Sequence, residues 1–559
     1  MMGYAEGYSR RSLPTASHLP RTALCLLIAA AFFAASLTPS LMPRGPVVQG
    51  ALAGSVAIIG YGIGHLLRWL WLFLDIPQPF KAWHSRFQLA ACGLALFIVL
   101  ASLWKSADWQ NATRTAMELP PVPTAQPLTI ISIAVLVFAA IWLLALAFQF
   151  VLNFARRRLD PLLPRPVSAF LGFCLAAWLF WAIGDGLLVR NGLALANSAF
   201  RAADAFIEPT LAPPSDPMVT GSAASLVSWK HLGKWGRDYV SRTPSRDEIA
   251  AFAGPSAMKP IRVYVGLRAA STPEERATVA LEELKRTGGF ERSALVVMVP
   301  VGTGWMDPGG QDTMEFLLGG DVATVAVQYS YLKGALSVLT DTEVGEEQSR
   351  LLFKAVYDHW TKLPKDKRPK LYVHGLSQGA QISQSTIPFF DLLADPIQGA
   401  LWTGSPFFSP VWRQVRNGRR PESPAWLPKY GNGSLIRLTN QRINADQFDA
   451  PWGPIRIVFL NYGSDPIVAF SYATAYRQPD WMNEPRAFDV PPELRWIPIV
   501  TMLQVALDTA FSLSIPGYGH YYIAEDYIDA WAEVLDPPAW DAARSAELKE
   551  LFKHRAPAF

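Results

Sequence analysis

Apolar residues are not spread evenly along this chain. They crowd into its first third in long runs and afterwards break into short pieces. Five stretches, near 22–42, 46–67, 88–104, 127–153 and 167–189, are apolar around most of a helix circumference. Each approaches the roughly 20 residues needed to cross a hydrocarbon core. They predict five membrane spans, with the third the shortest and the first to be doubted. A cleavable signal peptide does not explain the pattern, because further apolar stretches follow the first.

The stretch 201–235, containing "EPTLAPPSDP", has the prolines and small polar residues of a linker. From 236 onward the period changes. Short β-rich runs, "IRVYVGL", "ALVVMVP", "VATVAVQYSY", "KLYVHGL", "GALWTGS" and "IRIVFLNYG", are strand candidates. Between them lie "TPEERATVALEELKRT", "EEQSRLLFKAVYDHWTKL" and "GAQISQSTIPFFDLL", with apolar residues three and four apart. Continuous apolar strands separated by amphipathic helices predict a mostly parallel sheet covered on both faces. The expected plan is an α-helical transmembrane bundle over 1–200, a linker over 201–235 and an α/β domain over 236–559.

Composition agrees with a chain facing two solvents. Of 559 residues half are apolar, 20 are Trp and only 17% are charged. A net charge of +4 without any long basic tract carries no nucleic-acid footprint. Cys25, Cys92 and Cys174 all lie in apolar stretches. The α/β half therefore has no disulfide and no thiolate cluster for zinc, and no metal or cofactor is expected. With the N-terminus inside, Arg10, Arg11, Arg21, Arg68, Lys81, Arg86, Arg156, Arg157, Arg158 and Arg165 fall on the inner side. Only Arg44, Lys105, Arg114 and Arg190 fall outside. That bias predicts a membrane protein whose C-terminal half lies outside; loss of the third span would reverse it.

"GALAG" and "GYGIG" space glycines four apart at Gly50/Gly54 and Gly60/Gly64, which suits close helix packing in lipid better than a dinucleotide loop. Asp185 is costly at membrane depth and calls for a partner, Arg190 or Arg44 rather than the distant His65.

Candidate chemistry centres on "GLSQG", Gly375–Gly379, between the strand "KLYV" and a helical stretch. That context puts Ser377 on a strained strand-to-helix turn with its hydroxyl exposed, whereas the plain alternative is a small-residue turn. A serine needs a base to take its proton. Two histidines follow it: His554 sits in a charged tail, whereas His520 lies in the Gly-rich loop "IPGYGHYYIAED". His374, on the strand, reads as packing or support. The acid that would orient His520 is Asp465, just after the last apolar strand; Asp446 and Asp449 precede that strand and compete less well. Asp465 read plainly is a turn cap. Oxyanion donors are expected from the N–H of Gln378 and, in "VPVGTGW", of Thr303, a position that otherwise ends a strand.

"GLSQGA" resembles the nucleophile elbow of cutinases and related serine esterases. With "SLTPSLMPR" at Ser36–Arg44, "QGALAG", "GYGIG" and "GRDYVSRTPS", nearly the whole chain resembles a bacterial family of membrane-anchored α/β-hydrolases, a multi-span region before a catalytic domain. The resemblance implies the α/β-hydrolase fold and a triad of Ser377, Asp465 and His520, and it names no substrate. The expected function is a membrane serine hydrolase acting on acyl esters or thioesters. A lipid-like substrate is favoured by the membrane tether and by Trp305, Tyr518, Tyr521 and Tyr522. The alternatives are an acyltransferase using the same triad, or a transport or sensor protein carrying a spent hydrolase domain.

Overall fold

The computed structural model describes residues 23–76, 81–387, 394–444, 448 and 450–555. The competing acids Asp446 and Asp449 lie outside the described residues. The apolar runs form helices α1 (Ala23–Leu37), α2 (Pro46–Phe73), α3 (Lys81–Ala116), α4 (Pro127–Leu159) and α5 (Arg165–Trp181). Among the described residues four helical segments, 46–73, 86–116, 127–159 and 165–205, are long and apolar enough to cross a membrane; the described part of α1, 15 residues, is shorter. The third stretch was expected to be the weakest and is not. No proline interrupts it, so its apolar centre continues through polar turns into one helix of 36 residues.

The glycine pairs of α2 serve two different neighbours. A Cβ on Gly54 would lie 2.4 Å from the Ala134 carbonyl oxygen of α4, and one on Gly64 would lie 2.7 Å from Cys25 Cα of α1. Both pairs therefore act as close-packing sites inside a helix. Beyond α5 the chain widens into a π-helical segment, Ala182–Val189, before the helix Arg190–Ala205. That winding brings residues five apart together, and Asp185 pairs with Arg190 at 3.2 Å.

The chain divides into two compact units. One holds most of α1 to α4; the other is Ser40–Pro43, Ala112–Pro120 and Phe148–Phe559. In the second unit seven strands form one sheet: β1 (Ile261–Val265), β2 (Ala294–Val299), β3 (Val322–Val327), β4 (Lys370–Leu376), β5 (Gly399–Thr403), β6 (Ile436–Thr439) and β7 (Arg456–Leu460). Their order is β1-β3-β2-β4-β5-β7-β6, and every neighbouring pair is parallel. The strand that the apolar pattern does not announce is β6, four residues at the edge paired with β7. β2 and β3 are buried at every residue, as strands with helices over both faces must be.

The stretch 201–235 is fastened to this unit. Val227, Trp229 and Leu232 join the main core, Asp204 accepts the Lys234 amide at 3.0 Å, and Arg237 donates to the Asp204 and Phe206 carbonyls.

One ionic cluster ties β1 to the helix Pro308–Leu317. The Arg262 guanidinium donates to both oxygens of Glu315, at 2.7 and 2.6 Å, and to Asp312 at 2.7 Å, all buried. Burial at zero exposure makes Glu315 depend on that partner. Arg262→Ala is expected to destabilise the fold by about 3–5 kcal/mol, because it strands buried carboxylates. Thermal unfolding of the purified protein against wild type checks this.

Candidate active site

Ser377 follows β4 and precedes the helix Gln378–Thr386, with φ +56° and ψ −123°. A non-glycine residue at positive φ is strained and is held there only by its surroundings. Those surroundings are close. A Cβ on Gly375 would lie 2.4 Å from the Gly379 carbonyl carbon, and one on Gly379 would lie 2.1 Å from the Val299 carbonyl oxygen. Only glycine fits on either side, which is why the turn reads G-x-S-x-G. The Ser377 amide donates to the Thr403 carbonyl at 2.9 Å, which fastens the elbow to the end of β5.

His520 reaches the same strand end from a different loop. A Cβ on Gly404 would lie 2.5 Å from its Cε1 and 2.9 Å from its Nδ1, so the ring packs over Gly404. Its Nδ1 lies 2.6 Å from Asp465 Oδ2. A carboxylate only accepts, so this contact fixes the proton on Nδ1 and leaves Nε2 as the basic nitrogen. Nε2 is buried and has no hydrogen-bond partner among the described residues. A buried imidazole with one nitrogen held and the other open is arranged to take a proton from a group brought to it.

Asp465 is fully buried and accepts four bonds. Its Oδ2 takes His520 and the Tyr522 hydroxyl at 2.7 Å; its Oδ1 takes the amides of Ile467 at 2.8 Å and Val468 at 3.4 Å. It caps a turn and holds the imidazole at once. Tyr522 was grouped with aromatics near the site; it is buried and holds the acid. Burial, with Asp465 beside it, pushes its hydroxyl well above the ordinary range, so it remains a donor.

The loop after β2 lies against the elbow, since Val299 pairs with Gly375 and its carbonyl faces Gly379. Within it the Gly304 amide bonds the Val301 carbonyl at 2.7 Å, the Gly304 carbonyl accepts from Tyr264 at 2.8 Å, and the Thr303 carbonyl accepts from Gln328 at 2.9 Å. The amides of Thr303 and Gln378 have no hydrogen-bond partner among the described residues. The hydroxyl of Thr303 accepts from the Trp305 amide at 3.4 Å.

His374 is buried under Trp531 and Tyr527, bonded to the Leu401 carbonyl at 2.8 Å, and pushed down by burial to about 4. It is a neutral packing residue. His554 is exposed and pairs with Glu550.

Two acids were not legible in the sequence. Asp489, fully buried, accepts the Ser464 amide and hydroxyl at 2.9 and 2.8 Å, and Ser464 Oγ accepts the Gly519 amide at 3.0 Å. This chain of bonds runs to the residue before His520. Asp307 caps the helix Pro308–Leu317 and accepts from Tyr527 at 2.7 Å. Burial raises it to about 6, with Tyr527, the Gly309 amide and His520 opposing. Only the Asp-Pro start of a helix hinted at Asp307, and Asp489 carried no signal.

Because Asp307 holds its proton more tightly folded than unfolded, stability is lost as pH rises from its ordinary value toward about 6, and the loss is complete above that. Asp307→Asn is expected to raise stability at pH 8, by up to ~3 kcal/mol, and the gain should vanish near pH 4. Melting curves of both proteins at the two pH values measure it.

Among known families, residues 261–548 match the "Alpha/beta-hydrolase family" and residues 37–244 match the "Alpha/beta-hydrolase family N-terminus". Comparison with curated proteins gives no match. With an all-parallel seven-stranded sheet, a strained serine after β4 and more than half of the residues inside the family match, the chain belongs to the alpha/beta-hydrolase family.

Proposed function

We propose that this chain is a membrane-anchored serine hydrolase that cleaves acyl esters or thioesters, with a lipid-like acyl substrate. The observation that carries the reading is the His520–Asp465 contact of 2.6 Å with the opposite imidazole nitrogen left open. Ser377 Oγ attacks the acyl carbon while His520 Nε2 takes its proton. Asp465 keeps the proton on Nδ1 and offsets the positive charge that forms on the ring. The amides of Gln378 and Thr303 receive the oxyanion. Collapse of that intermediate expels the alcohol or thiol, which takes its proton from His520. A water activated by the same nitrogen then releases the acid and frees Ser377.

The site is proposed to face outward from a bacterial inner membrane crossed several times. The Lys/Arg bias sets the direction. The connections after α1 and α3, Ser40–Pro43 and Ala112–Pro120, belong to the unit that holds Ser377. Two loops on one side of a bilayer require an even number of crossings between them. That supports α3 as a real span, and α4 with α5 as the next pair.

A fluorophosphonate probe is expected to label the wild-type chain and not Ser377→Ala, and a membrane-impermeant probe is expected to label intact cells. Labelling only after lysis reverses the orientation. Absence of labelling on folded wild-type protein removes the hydrolase reading. Asp465→Asn is expected to lower kcat for a short-chain ester by ~10⁴-fold, because the amide no longer holds the productive imidazole tautomer; steady-state kinetics reads this directly.

A further inference from the structure

The stretch "SLTPSLMPR" joins α1 to α2, and the chemistry above gives it no task. By sequence it belongs to the membrane half, yet Ser40–Pro43 is part of the compact unit that contains the triad. Its attachment there is specific. Ser40 Oγ donates to Asp508 Oδ2 at 2.5 Å, and the Met42 amide donates to the same oxygen at 3.3 Å. Asp508 is fully buried at the end of the helix Val500–Asp508. A buried carboxylate needs such donors, so this anchor is costly to break. Between them Leu41, also fully buried, packs in a cluster with Phe470, Trp481 and Val505. The second connection backs the first: Thr113 Oγ1 donates to the Ser40 carbonyl at 3.3 Å.

The end of this segment touches the loop that carries His520. Met42 is 1% exposed and clusters with Met117 and Ile515. A Cβ on Gly519 would lie 2.8 Å from the Met42 sulfur and 3.0 Å from its methyl carbon. Gly519 has φ +61°, and its amide is held on another side by Ser464 Oγ at 3.0 Å. The following amide, of His520 itself, donates to the Ser512 carbonyl at 2.7 Å. The peptide before the imidazole is thus caught between a hydrogen bond and a thioether wall.

We infer that Ser40 and Met42 are positioning residues for His520: the turn between the first two membrane helices sets where the general base stands. The inference rests on His520 being that base. Asp465 fixes the tautomer and the tilt of the ring, and the amide bonds of Gly519 and His520 hold the peptide on two sides. Met42 closes a further side at Gly519, and the Ser40–Asp508 bond keeps Met42 in place. Displacements of about 1 Å are enough to cost ~10²-fold in a proton-transfer step. Glycine at 519 is required first by its φ of +61° and by the Ser512 carbonyl oxygen, 2.6 Å from where a Cβ would stand, and Met42 closes the next side.

The test is the rate at which Ser377 of the full-length, detergent-solubilised protein reacts with a fluorophosphonate, followed over probe concentration. Unfolded molecules lower the amplitude of labelling and not its rate constant, so a loss of fold is separated from a loss of positioning. Met42→Ala is expected to reduce the limiting rate constant by about 10–100-fold while the half-saturating probe concentration stays unchanged, and Met42→Leu, of similar volume, is expected to restore most of it. Ser40→Ala, which removes a single hydroxyl, should move in the same direction, and Ser40→Thr should recover. If neither alanine variant changes the limiting rate, or if the half-saturating concentration moves alone, the inference is overturned. Should Met42→Ala yield no folded protein, the Ser40 pair decides in the same way. Wild-type labelling that depends on Ser377, with no effect of the variants, defeats this inference and leaves the hydrolase reading standing. No labelling of folded wild type defeats both.

Discussion

A single carboxylate with all its lone pairs engaged organises the site. Asp465 is removed from water, and an ion so placed is tolerable only when donors replace its hydration. Two come from the backbone of the turn it caps, one from Tyr522 and one from His520. The backbone pair fixes the carboxylate, the fixed carboxylate fixes the imidazole, and Tyr522 closes the remaining direction. Removing any donor leaves the charge under-solvated, so the acid, the base and the loop that carries Tyr522 are energetically one object.

The second constraint is steric and belongs to the sheet. β4 lies between β2 and β5, and its last residues must turn sharply to start a helix without leaving the layer. Gly375 and Gly379 make that turn possible by letting backbone approach backbone, and Ser377 takes the positive φ between them. The same proximity puts the β2 loop beside the elbow, where the amides of Thr303 and Gln378 have no partner among the described residues. Strain, open donors and an unsatisfied imidazole nitrogen are all unfavourable for folding alone. Their concentration in one place is what marks a candidate site off from an ordinary strand end.

Around this centre the supports extend well beyond Ser377, Asp465 and His520. Asp489 reaches the His520 loop through Ser464, and Met42 reaches it from the turn after α1. Arg262 with Glu315 and Asp312 secures the helix that Asp307 caps, and Tyr527 ties that cap to the helix Ala524–Leu535. Helices and loops distant in sequence thus converge on two short stretches, 303–307 and 517–522.

The sequence determined the parts whose signal is local. Long apolar runs imposed helices, continuous apolar pieces imposed buried parallel strands, and G-x-S-x-G between a strand and a helix imposed the elbow, because each depends on residues within one turn or one strand. Chain order and loop chemistry singled out Asp465 and His520 from few competitors, and the fold sets them 2.6 Å apart. The strand β6 was not legible, being only four residues long and defined by its pairing with β7. The length of α3 was underestimated, because polar turns carry a helix past its apolar centre. Asp489, Asp508 and the place of Ser40–Pro43 in the second unit had no local mark at all. A carboxylate buried against a hydroxyl 468 positions away is written into the packing of the whole chain, and only the tertiary structure, which decides what is taken out of water beside what, brings those groups together.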